Sequence, residues 1–229
     1  MLEGLLLVNK PSGLTSHDVV QIIRRKLGEQ RIGHTGTLDP MAQGLLILLL
    51  GGATKRQREF QTHDKVYEAI LQLGVQTDTG DATGAPVRSA AVPPPQAAQV
   101  ASLLASLCGP MVLTPPAYSA VKVRGRPAYW WARHHQPVTL SPRTVTIFDA
   151  RLLDCGADTI TFRVHCSAGT YLRTVAESLA EQLGTVGHLR GLTRLRIGEW
   201  SLEDAKPWPW MAQADAPQLR GEIRPLCAS

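Results

Sequence analysis

Cysteine is scarce in this sequence, and its placement excludes the sites that cysteine usually builds. Cys108, Cys155, Cys166 and Cys227 are scattered along the chain, and no two of them form a C-x-x-C pair. This spacing argues against a structural zinc site and against a disulfide framework. We therefore expect reduced thiols and a cytoplasmic protein.

Long hydrophobic runs are also missing. Residues 1–8 are apolar, but Lys10-Pro11 follows almost at once. The segment is too short for a membrane span and does not have the form of a signal peptide. The chain has 229 residues and 44% hydrophobic content, which favours a globular protein with a sizeable core and no membrane partner.

The sequence lacks the common cofactor, nucleotide and metal motifs. Residues 51–55 (GGATK) resemble a phosphate-binding loop but do not have its glycine-lysine spacing. Asp78-Thr79-Gly80-Asp81 resembles a calcium loop, but Ser89 stands where the twelfth residue should be Glu. The seven histidines form no H-E-x-x-H pattern, and no serine lies in a G-x-S-x-G elbow. We therefore expect no cofactor and no metal requirement, and we look for chemistry based on a single carboxylate.

The strongest candidate for that carboxylate is Asp39, in the segment 33–40 (GHTGTLDP). Gly33 and Gly36 allow backbone conformations that other residues avoid, and Pro40 disfavours a helical conformation at Asp39. The acid is therefore fixed on a shaped turn just before an apolar run, Leu45 to Leu50. Taken alone, the pattern also fits an ordinary Asp-Pro turn beside a strand.

The net charge of +5 is modest, but the basic residues are clustered. Residues 118–135 combine basic side chains with aromatic ones, and Arg190, Arg194 and Arg196 form a second group. Such mixtures suit RNA, because phosphates attract the charge while unstacked bases pack on rings. A solvated amphipathic face with inward-facing aromatics is the alternative for each cluster. The basic side chains of the first cluster that we consider for RNA contacts are Lys122, Arg124, Arg126 and Arg133.

Periodicity predicts an α+β fold around a central mixed, largely antiparallel sheet. Strands are expected at Leu5 to Asn9, Leu45 to Leu50, Val66 to Val75, Thr144 to Leu153 and Thr159 to Cys166. A first helix is expected with Ser16 as its cap and Gly28 as its stop signal, and a second over Thr54 to His63. An alanine-rich helix is expected after Pro93 to Pro95 and up to Leu107, and another over Arg126 to His135. The last is expected to begin at the loop that starts with Ser167 and to end at Gly184. Val112 to Val123 is expected to be extended.

Arg173 falls off the apolar stripe of the last helix, near its N-terminus, where a cation opposes the helix dipole. It is either a solvated surface arginine or a group placed to meet an anion.

Five segments in order resemble the TruB family of tRNA pseudouridine synthases. They are residues 10–16 (KPSGLTS), 33–40 (GHTGTLDP), 65–67 (KVY) with 77–81 (TDTGD), 115–122 (PPAYSAVK) and 166–173 (CSAGTYLR). The resemblance covers about Leu5 to Ala205 and is sharpest at the Asp39 segment. It implies the pseudouridine synthase fold and isomerisation of uridine 55 in the T-loop of tRNA by base flipping.

The resemblance also implies roles for individual residues. Asp39 is the catalytic carboxylate, Arg173 keeps it charged, and Tyr67 stacks on the base and takes part in proton transfer at C5. Tyr171 and Leu192 line the uracil pocket, and His34 fills space left by flipped nucleotides. Outside this context, Tyr67 would be interpreted as a half-buried strand aromatic. Asp78 and Asp81 match an acidic loop near the site whose role the sequence leaves open.

The resemblance predicts a catalytic domain over residues 1–205, containing an RNA-contacting insertion at 118–135 that closes over the T-loop. Residues 206–229 are expected to form a C-terminal tail and not a complete RNA-binding PUA domain, because they are too few for one. The expected partner is the tRNA T-arm stem-loop, and the expected state is a monomer.

Two other functions remain open from the sequence. One is an RNA-binding or RNA-folding module that acts on the T-arm without dependence on catalysis. The other is a glycosidase, which usually needs a second carboxylate about 5 to 10 Å from the first. The intact Asp39, Tyr67 and Arg173 argue against the first, and the lack of a second acid in the Asp39 segment argues against the other.

Overall fold

The computed structural model describes residues 2–226, so Cys227 lies outside the described residues. In chain order the helices are α1 (Ser16–Leu27), α2 (Gln57–Thr62), α3 (Ala97–Ser106), α4 (Ala128–Arg133), α5 (Leu172–Gln182), α6 (Trp208–Gln213) and α7 (Ala216–Gly221). The strands are β1 (Gly4–Lys10), β2 (Ile32–His34), β3 (Gln43–Leu50), β4 (Lys65–Leu73), β5 (Val75–Thr77), β6 (Pro86–Ser89), β7 (Gly109–Leu113), β8 (Lys122–Val123), β9 (Arg126–Pro127), β10 (Arg143–Cys155), β11 (Thr159–Cys166), β12 (Gly187–Ile197), β13 (Trp200–Ser201) and β14 (Lys206–Pro207). Within these residues the chain forms two compact units, 2–67 with 193–226, and 68–192.

The first unit is built around β1 and β3, which pair in antiparallel fashion along their whole length. β14 extends the sheet parallel to β1. β2 pairs with the end of β3, whereas Thr193 and Arg194 of β12 pair in parallel with Gln43 and Gly44 at its start. The connection from β2 to β3, which carries Asp39, therefore returns to the sheet beside β12.

Burial on both faces explains the unbroken apolar run of β3. Leu46, Leu48 and Leu50 pack in one cluster with α1 and with residues of α6 and α7. Leu45, Ile47 and Leu49 face the other way, into a cluster that includes Phe60 and Ile197. Successive strand residues point to opposite faces, so both sets must be apolar when both faces are covered. The predicted buried strand is confirmed.

Helix α1 begins one residue earlier than the sequence predicted. Thr15, not Ser16, is the N-cap, and Thr15 and Asp18 form a capping box in which each side chain accepts from the other's backbone N–H. The Ser16 hydroxyl is instead used outside the helix. Gly28 ends the helix with φ 65°, a left-handed conformation that glycine adopts without strain, as expected.

The second unit contains the strand order β12-β4-β11-β10-β7, with β10 antiparallel to both β11 and β7. Helix α3 packs against β10 and against α5. β5 and β6 form a small separate hairpin, and so do β8 and β9. The mixture of antiparallel pairs with a few parallel ones confirms the predicted α+β fold with a mixed, largely antiparallel sheet.

Several element predictions were incomplete. The helix predicted over Thr54 to His63 is a 3₁₀ helix, Gly51–Arg56, followed by α2. The extended stretch from Val112 to Val123 is regular only at its ends, in β7 and β8, and the helix predicted from Arg126 to His135 is limited to α4. Strand β12 was missed, because Leu189, Leu192 and Leu195 recur every third residue and do not show the alternation that identifies a strand.

Replacing Thr15 by Ala should lower the free energy of unfolding by about 1 kcal/mol, because the Asp18 N–H would lose its side-chain acceptor. Urea denaturation of the two proteins measures the difference. Thr15→Ser is the matched control, since serine keeps the hydroxyl, and it should be nearly as stable as the original protein. Equal stability of the Ala variant would show that the cap contributes nothing.

Candidate active site

Hydrogen bonds hold the Asp39 loop on both sides of the acid. Before it, the Leu38 N–H donates to Ser16 Oγ at 2.9 Å, and Ser16 Oγ donates back to the Leu38 carbonyl at 3.2 Å. After it, the Ala42 N–H donates to the Asp39 carbonyl at 3.0 Å. Leu38 is buried while Asp39 is half-buried. The loop is therefore fixed by helix α1 with the acid kept partly accessible.

Lys10 supports the same loop from the end of β1, and it is fully buried. Its Nζ donates to the carbonyls of Pro11 at 2.9 Å, Leu14 at 2.6 Å and Pro40 at 3.4 Å. The turn after β1 and the Asp39 loop thus share one ammonium group. Sequence reasoning gave Lys10 no role, although a lysine between an apolar strand and a Pro-Ser-Gly turn was a usable signal.

The charge of Lys10 is coupled to that of Asp39. Burial lowers the pKa of the Lys10 ammonium from 10.5 to about 8, Asp39 opposes this shift, and Arg194 adds to it. Opposite charges stabilise each other's ionised form more strongly away from water. The Asp39 carboxylate therefore lies in an environment that already contains positive charge from its own unit.

Arg194 was expected in a basic surface cluster, and this expectation was wrong. Its side chain is 1% exposed, and it donates from Nε to the Leu45 carbonyl at 2.8 Å and from Nη2 to the Gly36 carbonyl at 3.0 Å. Arg196 instead pairs with Asp64 at 3.0 Å, and Arg190 donates to Gln72 at 3.3 Å. The three arginines are separated by even numbers of residues, and strict alternation would place them on one face, but the buried positions along β12 shift between Leu189 and Leu192, so Arg194 is buried while Arg190 is exposed and they do not form one basic face.

His34 is the last residue of β2 and is half-buried. Its Nδ1 is buried without a hydrogen-bond partner among residues 2–226. Burial lowers the pKa of the imidazole, with further lowering by Arg194 and His17, so the ring is neutral at pH 7. A neutral half-buried ring fits the expected role of filling space beside the loop.

Tyr67 lies on β4, where Lys65, Tyr67 and Ala69 share the buried face. Its ring is 9% exposed, more buried than the half-buried strand aromatic that the sequence alone favoured. Asp39, His34 and Tyr67 belong to the first unit, whereas Tyr171, Arg173 and Leu192 belong to the second.

Arg173 is the second residue of α5 and is buried, not solvated, with 4% of its surface exposed. Nη1 donates to the Thr79 carbonyl and Nη2 to the Tyr118 carbonyl, both at 2.8 Å, and Nε lies 3.9 Å from Asp81 Oδ2. Two loops of the same unit therefore cover the face of α5 that helical periodicity assigned to solvent. These contacts orient the guanidinium.

The acidic loop now has a structural role that the sequence left open. Asp81 accepts from the hydroxyl of Thr79 at 2.9 Å and from the N–H and hydroxyl of Thr83 at 2.9 and 2.6 Å. Asp78 accepts from the Ala85 N–H at 2.8 Å. Both acids fold the loop whose Thr79 carbonyl holds Arg173. Gly80 has φ 73° in this loop, a left-handed conformation that favours glycine, and a Cβ there would lie 3.1 Å from Oε1 of Glu177 on α5.

Two further predicted residues of the second unit lie at the start of α5 and in the middle of β12. Tyr171 is the N-cap residue of α5 and is half-buried, with the Arg143 guanidinium 6.0 Å from its ring centre. Leu192 is a buried residue of β12. One carboxyl that the sequence did not single out is Glu177 on α5, whose pKa is raised mainly by burial.

The basic and aromatic segment 118–135 consists of the β8–β9 hairpin and α4. Lys122, Arg124, Arg126 and Arg133 are all exposed there. The three rings of α4 differ in what covers them. Trp131 is fixed by a hydrogen bond from Nε1 to the Val123 carbonyl at 3.0 Å, and Trp130 contacts the Arg126 guanidinium at 4.1 Å and stacks on His134 at 4.0 Å. Tyr129 is 40% exposed, with Arg133 5.4 Å from its ring.

Neither a metal cluster nor a membrane helix was found in the described part of the chain. Residues 2–226 contain no grouping of three or more histidine, cysteine or acidic side chains placed to hold a metal ion. Over the same residues, no helix combines the length and the apolar character needed to cross a bilayer.

Comparison with known proteins gives a consistent result. A family model described as "TruB family pseudouridylate synthase (N terminal domain)" matches residues 24–172. A tRNA pseudouridine synthase B of Aromatoleum aromaticum is 46% identical over 228 residues, which are 100% of this chain and 74% of that protein. The tRNA pseudouridine synthase B of Opitutus terrae is 40% identical over 225 residues, 98% of this chain and 93% of that protein.

Solved structures agree in fold. The "Crystal Structure of a Cbf5-Nop10-Gar1 Complex" contains a chain with a TM-score of 0.72 and 25% identity, matched over 98% of this chain and 60% of that one. A second structure, of an "H/ACA RNP bound to a substrate RNA containing 2'-deoxyuridine", matches with a TM-score of 0.71 at 22% identity, over 98% of this chain and 59% of that one. This chain therefore spans about 60% of the length of the first of these structural relatives.

The buried Lys10 makes a prediction about pH. Its pKa is about 8 in the folded protein and 10.5 as the ordinary value, so between these values the unfolded chain binds more protons and stability rises with pH. Lys10→Met loses this contribution. From pH 8 to pH 10 the free energy of unfolding of the original protein should rise by about 2 kcal/mol relative to Lys10→Met.

Urea denaturation across this pH range measures the difference. Lys55→Met, at an exposed lysine of the same unit, is the control and should follow the original protein. A constant difference between the original protein and Lys10→Met would mean that the ammonium is not destabilised by burial.

Proposed function

Because the chain belongs to the TruB family of pseudouridylate synthases, we propose that it isomerises uridine to pseudouridine in tRNA, at position 55 of the T-loop. The relatives named tRNA pseudouridine synthase B support tRNA as the substrate. The observation that carries the proposal is Asp39, held half-exposed on a loop fixed by α1, Lys10 and Arg194. We further propose that the enzyme acts in the cytoplasm as a monomer.

The reaction moves atoms only within the nucleotide. The N1–C1′ bond breaks, the uracil turns, C5 bonds to C1′, and the proton from C5 is lost as N1 takes one up. The products have the same composition as the substrate, so the step consumes no oxidant and no hydrolytic water. The proposed role of Asp39 is to act in its ionised form on the sugar or the base. Positive charge from Lys10 beside it favours that form.

We assign Arg173 to the same catalytic set, as the cation that keeps the carboxylate ionised when water is displaced by RNA. Its contacts with Thr79, Tyr118 and Asp81 support this role, because they limit the positions that its guanidinium takes. Such preorganised charge is more effective than a mobile side chain, which must be ordered during the reaction. A lysine at this position would present one compact ammonium and would not reproduce a planar guanidinium that is fixed by two hydrogen bonds.

The base must leave the RNA stack before Asp39 can act, at a cost of roughly a few kcal/mol. We propose that Tyr67 stacks on the extruded uracil and takes part in the proton transfer at C5, that Tyr171 and Leu192 line its pocket, and that His34 fills the space the nucleotide leaves. Stacking on an aromatic ring is worth about 1 to 3 kcal/mol, enough to offset much of the extrusion cost. The half-buried, neutral ring of His34 supports its assignment, because it carries no charge that needs solvation.

The insertion supplies the proposed contacts with the T-arm backbone. Lys122, Arg124, Arg126 and Arg133 are exposed and basic, as phosphate contacts require. Among the α4 rings we assign base stacking to Tyr129, since Trp130 is already occupied by Arg126 and His134 and Trp131 is held by Val123. Arg133 supports the Tyr129 ring on one side.

No specific observation favours the RNA-folding alternative. The Asp39 loop presents a carboxylate, and folding of RNA would not require one. A glycosidase would release free uracil, and an isomerase would not. One experiment separates all three activities. An unmodified T-arm stem-loop carrying tritium at uracil C5 is incubated with the protein, and released tritium, free uracil and the modified position are measured. We expect tritium release, pseudouridine at position 55 and no free uracil.

Asp39→Asn should reduce tritium release below a few per cent of the original rate, because the amide keeps the shape but is neither a nucleophile nor a base. Binding of the stem-loop and the melting temperature should stay within experimental error. These two measurements serve as the control for folding. Activity well above a few per cent would remove Asp39 from the catalytic role.

Tyr129→Leu should weaken binding of the stem-loop by about tenfold, because a stacked base loses its ring. Tyr129→Phe is the matched control and should bind as the original protein does, since it keeps the ring. Equilibrium binding at fixed salt gives both affinities. If the leucine variant binds normally, the stacking ring lies elsewhere.

A further inference from the structure

Arg194 combines deep burial with contacts that lead directly to the Asp39 loop. Its guanidinium reaches from β12 to the Gly36 carbonyl inside the loop and to the Leu45 carbonyl just after it, at 3.0 and 2.8 Å. It therefore ties the loop to the strand that follows it. Lys10 makes the corresponding contact at the other end, with the Pro40 carbonyl. In the sequence, Asp39 lies between Gly36, whose carbonyl is bound by Arg194, and Pro40, whose carbonyl is bound by Lys10.

Packing alone does not explain a charged group at this position. Moving an ion out of water costs several kcal/mol, and replacing a buried ion by an apolar residue of similar size is often neutral or stabilising. Arg194 is 1% exposed and Lys10 is fully buried, so two like charges are held near each other. Their mutual repulsion is visible in Lys10, whose pKa Arg194 lowers and Asp39 raises.

Strand pairing fixes the backbone position from which the Arg194 side chain extends. Thr193 and Arg194 pair in parallel with Gln43 and Gly44 of β3. At Gly44, where φ is 105°, a Cβ would lie 2.4 Å from the Arg194 carbonyl oxygen and 2.7 Å from its nitrogen. The two strands therefore approach more closely than any residue with a side chain would allow. This close approach places the Arg194 side chain against the loop.

We propose that Arg194 is a positioning residue for the isomerisation: it fixes the Asp39 loop through the Gly36 carbonyl and keeps positive charge beneath the loop. This inference rests on the function proposed above. Because Arg194 acts through the loop and not by contact with the substrate, its removal should affect the chemical step more than binding of RNA.

The variants to compare are Arg194→Met, which removes both hydrogen bonds and the charge, and Arg194→Lys, which keeps the charge and at most part of the bonding. Arg24→Met is the matched control. Arg24 lies in the same unit and also donates to a backbone carbonyl, that of Ile32 at 2.6 Å, which lies outside the Asp39 loop. For each protein kcat and KM on the T-arm stem-loop, the melting temperature and the His34 pKa by NMR are measured.

We expect kcat of Arg194→Met to fall at least tenfold while KM changes less than threefold, and Arg194→Lys to recover part of the loss. Arg24→Met should keep kcat within twofold. The His34 pKa should rise in Arg194→Met and stay unchanged in Arg24→Met, because Arg194 is one of the charges that lower it. A general loss of stability would not move the His34 pKa in the folded protein in this selective way.

Normal kcat in a folded Arg194→Met protein would overturn the inference. So would an equal loss of kcat in Arg24→Met, which would make the effect one of general stability. If Arg194→Met does not fold, Arg194→Lys decides: reduced kcat at an unchanged melting temperature supports the proposal, and unchanged kcat overturns it. An original protein that does not isomerise the stem-loop would contradict the proposed function, and the His34 pKa in Arg194→Met would then test the placement of Arg194 on its own.

Discussion

The half-exposed carboxylate of Asp39 depends on a loop that is held in place by side chains from three other elements. Ser16 of α1 holds Leu38, Arg194 holds Gly36, and Lys10 holds Pro40. Each of these side chains comes from a different element of the first unit, so the loop is ordered only when those elements are assembled. The geometry of the acid is thus a property of the folded unit and not of the Asp-Pro turn.

Backbone carbonyl groups compensate the buried cations of this arrangement. Buried cations are costly, and they persist where an anion or oriented carbonyls compensate them. Around the Asp39 loop the carbonyls of Leu14, Gly36, Pro40 and Leu45 take up the donors of Lys10 and Arg194. In the second unit Arg173 is treated in the same way, by carbonyls of Thr79 and Tyr118 with Asp81 close by. Both units therefore hold arginine by backbone oxygen, which fixes the direction of the guanidinium.

Much of this fold was readable from the sequence. The apolar run of β3, the spacing of α1 and its Gly28 stop, and the Asp39 turn all depend on local patterns, and all were placed correctly. Local patterns failed where a distant element decides the outcome. The choice between Thr15 and Ser16 as cap depended on Leu38, 22 residues away along the chain from Ser16. Local patterns did not show that Arg173 and Arg194 are buried, because the segments that bury them are far away in the sequence. Lys10 was missed for a different reason, since its contacts with Pro11 and Leu14 are local and only the contact with Pro40 is distant.

The close approach at Gly44 limits the evolutionary freedom of this region. Any side chain there would collide with the backbone of Arg194, and no rearrangement of a flexible group relieves a collision with backbone atoms. A replacement of Gly44 could be tolerated only together with a shift of β12, which would move the arginine that the strand carries. The glycine and the arginine therefore form one structural constraint, although they are 150 positions apart in the sequence.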